Sequence, residues 1–359
     1  MMSKQSVTCI VLAVLAMLIK IFSLFPQAVE KYYSGRVYPA ISGFLRMVLG
    51  WIPFSVGDIL YGGVVVWLIV RIISFTRKVL GRRIKKTYLA WLSMRIVCLI
   101  FGVYVLFNIL WGLNYDRRGI ADQMGLQIKP YTNEELESLV QIVVGQLNET
   151  EKLAKENRPA LKTKSILFKN AVQAYQNRRE EDHFLVYRNE CIKPSIYSYL
   201  GNYLGFTGYY NPFSGEAQVN TTVPLFIQPF TTCHEIGHQL GYAKENEANF
   251  AGYLSAISSE NPAFRYSANF EIYLYAASEL YFRDSTMVRP LREKLNPGVR
   301  EDIRALRDFL KSYENPLEPY IRRLYGRYLK ANGQPQGLRT YDEVTAWMIA
   351  YYRKKGLIG

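Results

Sequence analysis

The chain has 359 residues, of which 49% are hydrophobic, with 44 Lys and Arg against 30 Asp and Glu. This length exceeds one small domain and fits a membrane module followed by one globular domain. Residues 1–118 hold 15 basic and 3 acidic side chains, whereas residues 119–359 hold 29 and 27. Because the basic excess accompanies the apolar part of the chain, it indicates membrane topology and argues against a nucleic-acid partner.

Three apolar stretches are predicted to cross a lipid bilayer, at about residues 6–25, 59–75 and 88–111. The first could also be a signal peptide, but no cleavage site with small residues follows it, which favours an uncleaved span. The second is short for a span, and the third has about the ~20 residues that a bilayer core requires. Residues 1–112 are therefore predicted to form a membrane module.

The loop at residues 76–87, between the second and third spans, carries six basic side chains. Short loops rich in Lys and Arg stay on the cytoplasmic side. We therefore expect a multi-pass protein of a bacterial-type inner membrane with a cytoplasmic N-terminus. The loop at 26–58 and everything after the third span are then extracytoplasmic. Within that outer loop, the apolar residues 42–58 either lie in the membrane interface as an amphipathic helix or pack on the globular domain.

Residues 113–359 are predicted to be mainly α, a helix-rich α+β domain with a small sheet. Thr132 and Glu135 have the spacing of a capping box, which predicts a helix that continues to about Leu147. Farther on, residues 216–220 are predicted to form a short strand, at the edge of the sheet and just before the next helix.

That next helix contains the pattern His-Glu-x-x-His, at His234, Glu235 and His238. Positions i and i+4 of a helix share a face, so both imidazoles can bind one divalent ion. Two histidines and one carboxylate leave a fourth coordination position for water, which is the pattern of catalytic zinc sites. Glu235 is placed to accept a proton from that water. The pattern therefore predicts one zinc ion per chain.

A third ligand has to come from outside this pattern, and two carboxylates begin the next predicted helix, after a break at Gly241. Glu245 shares a helical face with Asn249, whereas Glu247 shares a face with Phe250. The spacing alone does not choose between the two carboxylates.

A simpler interpretation makes His234 and His238 ordinary helix residues and pairs Thr232 with Glu235 as a capping box. The glycine break and the helix led by carboxylates favour the metal site over this interpretation. The metzincin pattern is excluded, because it requires a third histidine where Lys244 stands and a protonated lysine cannot bind zinc.

His-Glu-x-x-His followed by a Glu-x-x-Ala-Asn helix resembles the gluzincin type of zinc metallopeptidase. The resemblance implies that Glu245 is the third ligand, with Glu247 as second choice, and that Asn249 supports a ligand histidine. The wider run from Gly208 to Phe250 also resembles an uncharacterised family of bacterial multi-span membrane proteins with a domain of unknown function. Its members are suspected metallopeptidases, and the resemblance covers nearly the whole chain without naming a substrate.

Three side chains ahead of the metal helix are candidates for substrate binding. The strand that begins at Glu216 could pair with extended substrate backbone, as edge strands do in zincin-like enzymes. Tyr209 or Tyr210 could stabilise an oxyanion.

Four other side chains allow more than one interpretation. Cys191 and Cys233 could form a disulfide outside the cytoplasm or remain buried thiols, and Cys233 could be an incidental fourth donor. Glu271 and Glu279 lie in a mostly apolar predicted helix, 268–282, so each either supports the metal site or forms a salt bridge.

Taken together, the sequence predicts a membrane-anchored zinc metallopeptidase with a zincin-like domain, acting on peptide or protein substrates of the cell envelope. The alternative is a catalytically inactive zincin-like protein that binds metal or a partner there.

Overall fold

The computed structural model describes residues 4–81, 85–332, 334 and 340–359. Within them the chain is mainly helical, with three apolar helices first, then a helical domain that holds a small sheet of three strands. The predicted fold class is confirmed at this level. Residues 82–84 of the predicted cytoplasmic loop lie outside the described residues.

The N-terminal part contains five helices: α1 (Lys4–Ser23), α2 (Pro26–Ala28), α3 (Tyr38–Leu49), α4 (Val56–Leu80) and α5 (Lys86–Leu110). Of these, α1, α4 and α5 are long and apolar enough to cross a membrane. They coincide with the three predicted spans, and α4 and α5 have 25 residues each. The second span, predicted as short, is therefore a full-length helix.

The segment predicted as an outer loop is largely helical. A π-helix (Val29–Val37) leads directly into α3. One face of α3 packs on the domain, where Tyr38 Oη and Arg46 Nη1 each donate a hydrogen bond of 2.9 Å to the backbone oxygen of Gln239. The other face exposes apolar side chains such as Phe44 and Met47. Of the two alternatives predicted for this segment, the structure therefore shows packing on the domain for the buried face of α3.

The domain that follows contains α6 (Ile120–Gln123), α7 (Asn133–Asn157), α8 (Lys164–Arg178), β1 (Ile192–Pro194), α9 (Ser198–Leu204), β2 (Gly208–Asn211), β3 (Glu216–Val219), α10 (Gln228–Gln239), α11 (Glu245–Ile257), α12 (Pro262–Arg283), α13 (Ser285–Glu293), α14 (Pro297–Ser312), α15 (Glu318–Ala331) and α16 (Thr340–Lys354). The capping box at Thr132 and Glu135 is confirmed. The helix it begins, α7, continues past the predicted end at Leu147, because buried side chains recur as far as Ala154 and pack it along α12.

The sheet has the strand order β1-β3-β2, with β3 parallel to β1 and antiparallel to β2. The predicted strand is present as β3, but its predicted place at the sheet edge is wrong. All four residues of β3 are buried, as expected for a strand that is paired on both sides. The edge strand that contacts α10 is β2 instead.

Candidate metal centre

The helix α10 carries the His-Glu-x-x-His pattern in the middle of the domain. It begins at Gln228, and Thr232 Oγ1 donates a hydrogen bond of 2.7 Å back to the Gln228 carbonyl. Thr232 therefore lies inside the helix and is not its N-cap, which removes the capping-box interpretation. Gly241 follows the helix with φ of +86°, a conformation that favours glycine, and reverses the chain toward α11.

The two histidines of α10 face each other. Their ring centroids are 4.7 Å apart, with the rings perpendicular. One donor atom from each of His234, Glu235 and His238 lies within 4.8 Å of the other two. His238 and Glu235 are buried, with 6% and 3% of their surface exposed. The pattern therefore forms a compact and nearly enclosed group of metal-binding atoms.

Glu245, at the start of α11, approaches both imidazoles. Its Oε2 is 3.4 Å from His234 Nε2, and its Oε1 is 3.8 Å from His238 Nε2. Small residues where α10 and α11 pack allow this approach: a Cβ on Gly252 would stand 2.9 Å from the backbone nitrogen of His234, and one on Gly237 would stand 3.2 Å from the Ala248 carbonyl.

Glu247 lies on the other side of α11, where a Cβ on Gly119 would collide with its Oε1 and where Arg117 is a nearby cation. Burial raises the pKa of the Glu247 carboxyl, and Lys244 and Arg117 oppose this. Of the two candidate third ligands, the structure therefore brings Glu245 to the histidines.

A neighbouring carbonyl holds the His238 ring. His238 Nδ1 lies 2.8 Å from the Tyr242 carbonyl, so this nitrogen donates its proton there and Nε2 keeps its lone pair for a metal. Metal-ligating histidines usually have such a partner on the nitrogen that does not bind the metal. Asn249 is close enough to His234 to raise the pKa of its imidazole, but His234 Nδ1 and Asn249 Nδ2 are both buried without a hydrogen-bond partner among the described residues.

The four groups of the centre perturb one another. Burial lowers the pKa of His234, but the hydrogen bond to Glu245 and the charges on Glu235 and Glu245 together outweigh this and raise the pKa to about 9. Burial and the charge on His234 lower the pKa of His238 to about 4. Burial raises the pKa of Glu245, yet His234 and His238 bring it down to about 2.

Burial raises the pKa of Glu235 to about 8, with His234 opposing the shift. Its Oε2 is buried and has no hydrogen-bond partner among the described residues. A buried carboxylate oxygen of this kind is costly unless a ligand satisfies it. Two imidazoles, the Glu245 carboxylate and this unsatisfied oxygen fit a zinc ion with an associated water.

The edge strand β2 runs directly past Glu235. A Cβ on Gly208, the first residue of β2, would lie 2.5 Å from Glu235 Oε1. Only a residue without a side chain leaves room for the carboxylate at this place. Since β3 is the central strand, β2 has the outer backbone edge beside the metal centre.

The three predicted substrate-binding side chains have other partners. Tyr209 Oη donates a hydrogen bond of 2.5 Å to Asp58, and Tyr210 Oη lies 3.3 Å from Tyr38 Oη. Glu216 is fully buried, and its carboxylate accepts hydrogen bonds from the backbone nitrogens of Val56 and Gly57. These contacts attach the sheet to the beginning of α4 and to α3, so they leave none of the three hydroxyl or carboxylate groups directed at the metal centre.

Three contacts of the centre come from residues that the sequence did not single out. Tyr325 Oη donates a hydrogen bond of 2.7 Å to Glu245 Oε1, and Gln334 Oε1 accepts one of 3.2 Å from the Glu245 backbone nitrogen. Trp111 Nε1 donates to the His238 carbonyl at 3.2 Å. All three are distant in the sequence and belong to no local motif, so no sequence signal identified them.

The two cysteines and the two glutamates of α12 that allowed more than one interpretation have different surroundings. Cys191 and Cys233 are free and buried. Glu279 forms a salt bridge of 2.6 Å with Arg283, as the structural interpretation expected. Glu271 lies close enough to His234 for the imidazole to lower the pKa of its carboxyl, against a larger rise from burial and beside a hydrogen bond from Tyr275.

In a comparison with protein families, residues 33–349 match the family described as "Protein of unknown function (DUF3810)". No curated protein and no solved structure matches the chain.

Proposed function

The chain belongs to the DUF3810 family of proteins of unknown function, and we propose that it is a membrane-anchored zinc metallopeptidase. The observation that supports this most is the convergence of Glu245 on the two histidines of His-Glu-x-x-His, at 3.4 and 3.8 Å. The resemblance to gluzincins implies the same residue as third ligand.

His234, His238 and Glu245 would hold the zinc ion, which when bound supplies Lewis-acid polarisation and lowers the pKa of an associated water to near 7. Glu235 accepts a proton from the attacking water and delivers it to the leaving amine. Burial raises the pKa of this carboxyl, which favours its taking up a proton from the water. The backbone edge of β2 offers hydrogen bonds to an extended peptide beside it.

We place the reaction on the extracytoplasmic side of a bacterial-type inner membrane, acting on peptides or proteins of the cell envelope. The basic loop between α4 and α5 supports this topology through the positive-inside rule. The second candidate function is that of an inactive protein that binds metal or a partner at the same place. The same centre supports metal binding under both candidate functions.

The experiment measures zinc content and peptide hydrolysis on the purified full chain. We expect one zinc ion per chain in the wild type, its loss in His238→Ala and Glu245→Gln, and its retention in Glu247→Gln. Glu247→Gln is the matched control, because it removes the neighbouring carboxylate of the same helix. Glu235→Gln should keep zinc and abolish hydrolysis of a mixed peptide library.

Folded wild-type protein that takes up no zinc would exclude both candidates. Zinc that is retained, with library hydrolysis absent or unchanged in Glu235→Gln, would favour the inactive metal-binding protein.

A further inference from the structure

The short helix α9 is attached to the outer end of α4. The backbone nitrogen of Ile196, just before α9, donates a hydrogen bond of 2.7 Å to Asp58 Oδ2, and Tyr197 Oη donates one of 2.8 Å to the Asp58 carbonyl. A Cβ on Gly62, one turn farther along α4, would lie 2.7 Å from Tyr197 Oη. The start of α9 therefore lies level with the first turns of a membrane span.

Helix α15 lies beside the same ends of the spans. Asn315, just before α15, donates a hydrogen bond of 2.8 Å to the Tyr203 carbonyl at the end of α9. The hydroxyl of Tyr328 is 3.3 Å from that of Tyr115, in the segment that follows α5. Because α4 and α5 are both candidate spans, α9 and α15 lie where those spans leave the membrane.

Both helices expose large apolar and aromatic side chains at this place. Six of them, which we call the α9–α15 surface, are between 48% and 70% exposed: Tyr199, Leu200, Tyr203, Leu317, Tyr320 and Leu324. Monomeric soluble domains rarely expose such groups together. Tyrosine is also a residue that concentrates at membrane–water interfaces, where its ring is in an apolar layer and its hydroxyl in water.

The charge on α15 matches an anionic lipid surface. Leu317, Tyr320 and Leu324 follow the spacing of one helical face. Four exposed basic side chains cover the rest of the helix: Arg322, Arg323, Arg327 and Lys330. A helix with an apolar face and a basic face is typical of segments that lie in the plane of a membrane surface.

We propose that the α9–α15 surface rests in the interfacial layer of the same lipid leaflet in which α4 and α5 end. The α9–α15 surface adjoins the outer ends of the spans, and this identifies lipid as its partner. A bilayer around α4 reaches α9 without any movement of the domain. The inference concerns lipid contact and does not require zinc or catalysis.

One consequence concerns the metal centre. The Trp111 ring, directly after α5, is 5.9 Å from the His238 ring, and Tyr325 of α15 contacts Glu245. The centre therefore lies close to the membrane surface, and the helix that contacts lipid also contacts a candidate ligand.

The test uses the full chain reconstituted in vesicles of zwitterionic and anionic phospholipid, with a bimane fluorophore attached at Leu324→Cys or Tyr199→Cys. The control is Glu260→Cys, because Glu260 is exposed and lies beyond Ile257, the end of α11 that is about 18 Å from Glu245 along the helix. Wild-type protein gives the background, since Cys191 and Cys233 are buried and Cys9 and Cys98 lie in the spans.

We expect lipids with a nitroxide near the headgroup to quench the fluorophore at positions 324 and 199 and to leave position 260 unquenched. Quenching at 324 or at 199 that does not exceed that at 260 would overturn the proposal. A fluorophore that is shielded from water-soluble iodide yet not quenched by lipid would also overturn it, because a protein would then cover the surface. Zinc content measured on the same samples separates this outcome from failure of the proposed function.

Discussion

His234 is the residue in which charge and metal binding are most directly opposed. Its imidazole lies between the Glu245 and Glu235 carboxylates, which together keep the pKa of the ring near 9 against the effect of burial. Zinc needs the neutral imidazole, so a proton has to leave before the metal binds. The group that would hold the ion thus carries the competing proton at neutral pH.

We therefore expect zinc affinity to rise with pH, by about tenfold per unit from neutral pH to about 9, and to level off above that value. The sign follows from the raised pKa: below it the proton competes with zinc, and above it there is no proton to displace. Competition with a chelator over this range measures the slope. Calorimetry in buffers of different ionisation enthalpy counts the protons that are released.

Glu235 titrates in the same range, so Glu235→Gln is the control that isolates His234. The slope should persist in that variant but level off at a lower pH, because the charge on Glu235 also raises the pKa of His234. An affinity that does not change between neutral pH and 9 would contradict the assignment of the proton to His234.

At the scale of elements, two contacts build the centre: α11 packs closely on α10, and β2 passes alongside Glu235. The packing of α11 on α10 depends on small residues such as Gly252, and the approach of β2 to Glu235 depends on Gly208. A side chain at either place has no room, so backbone approach, and not side-chain chemistry, determines where the carboxylates stand.

We predict that Gly208→Ala displaces Glu235, because the new Cβ would lie 2.5 Å from its Oε1. Zinc content should be unchanged, whereas peptide hydrolysis should fall by about 100-fold, the usual cost of moving a reacting group by about 1 Å. Rates and zinc content of the purified full chain provide the measurement.

Gly145→Ala is the matched control, since a Cβ at Gly145 of α7 has no neighbour within 4 Å. It should leave both zinc content and hydrolysis as in the wild type. Equal rates for Gly208→Ala and the wild type would show that Glu235 does not take part in the reaction as proposed.

At the scale of the whole molecule, the membrane helices and the domain form one packed unit. Tyr33 of the π-helix donates a hydrogen bond to the Asn108 carbonyl of α5, and Trp111 contacts α10. The ends of the spans therefore support the metal helix directly, with no linker between the two parts.

The predicted topology places the domain outside the cytoplasm and the loop between α4 and α5 inside it. We expect a membrane-impermeant maleimide added to intact cells to label Glu260→Cys and to leave Lys78→Cys unlabelled, because Lys78 lies at the end of α4 that leads into the basic loop. Permeabilised cells should label both positions. If intact cells label Lys78→Cys and not Glu260→Cys, the orientation in the membrane is the opposite of the predicted one.

Much of the candidate site could be predicted from local patterns. Two histidines four residues apart share a helical face, Gly241 breaks the helix, and a carboxylate-led helix follows, each by rules that act within one or two turns. The three apolar helices are equally local, because a long apolar run determines a span by itself.

Contacts between distant segments could not be predicted in this way. Glu245 and Glu247 are two residues apart and chemically identical, and only the packing of α11 between α10 and the Arg117 segment separates them. Tyr209 and Glu216 looked available for substrate until the start of α4 proved to be their partner.

The sequence by itself thus determined the spans, the helix with the His-Glu-x-x-His pattern and the identity of the ligand candidates, since hydropathy and helical periodicity are properties of neighbouring residues. Only the tertiary structure decided which carboxylate faces the histidines, which strand lies at the sheet edge, and that the centre lies beside the ends of the spans. Those features depend on which surfaces exclude each other's side chains, and that is set by residues such as Gly208 and Gly252 acting across long stretches of chain.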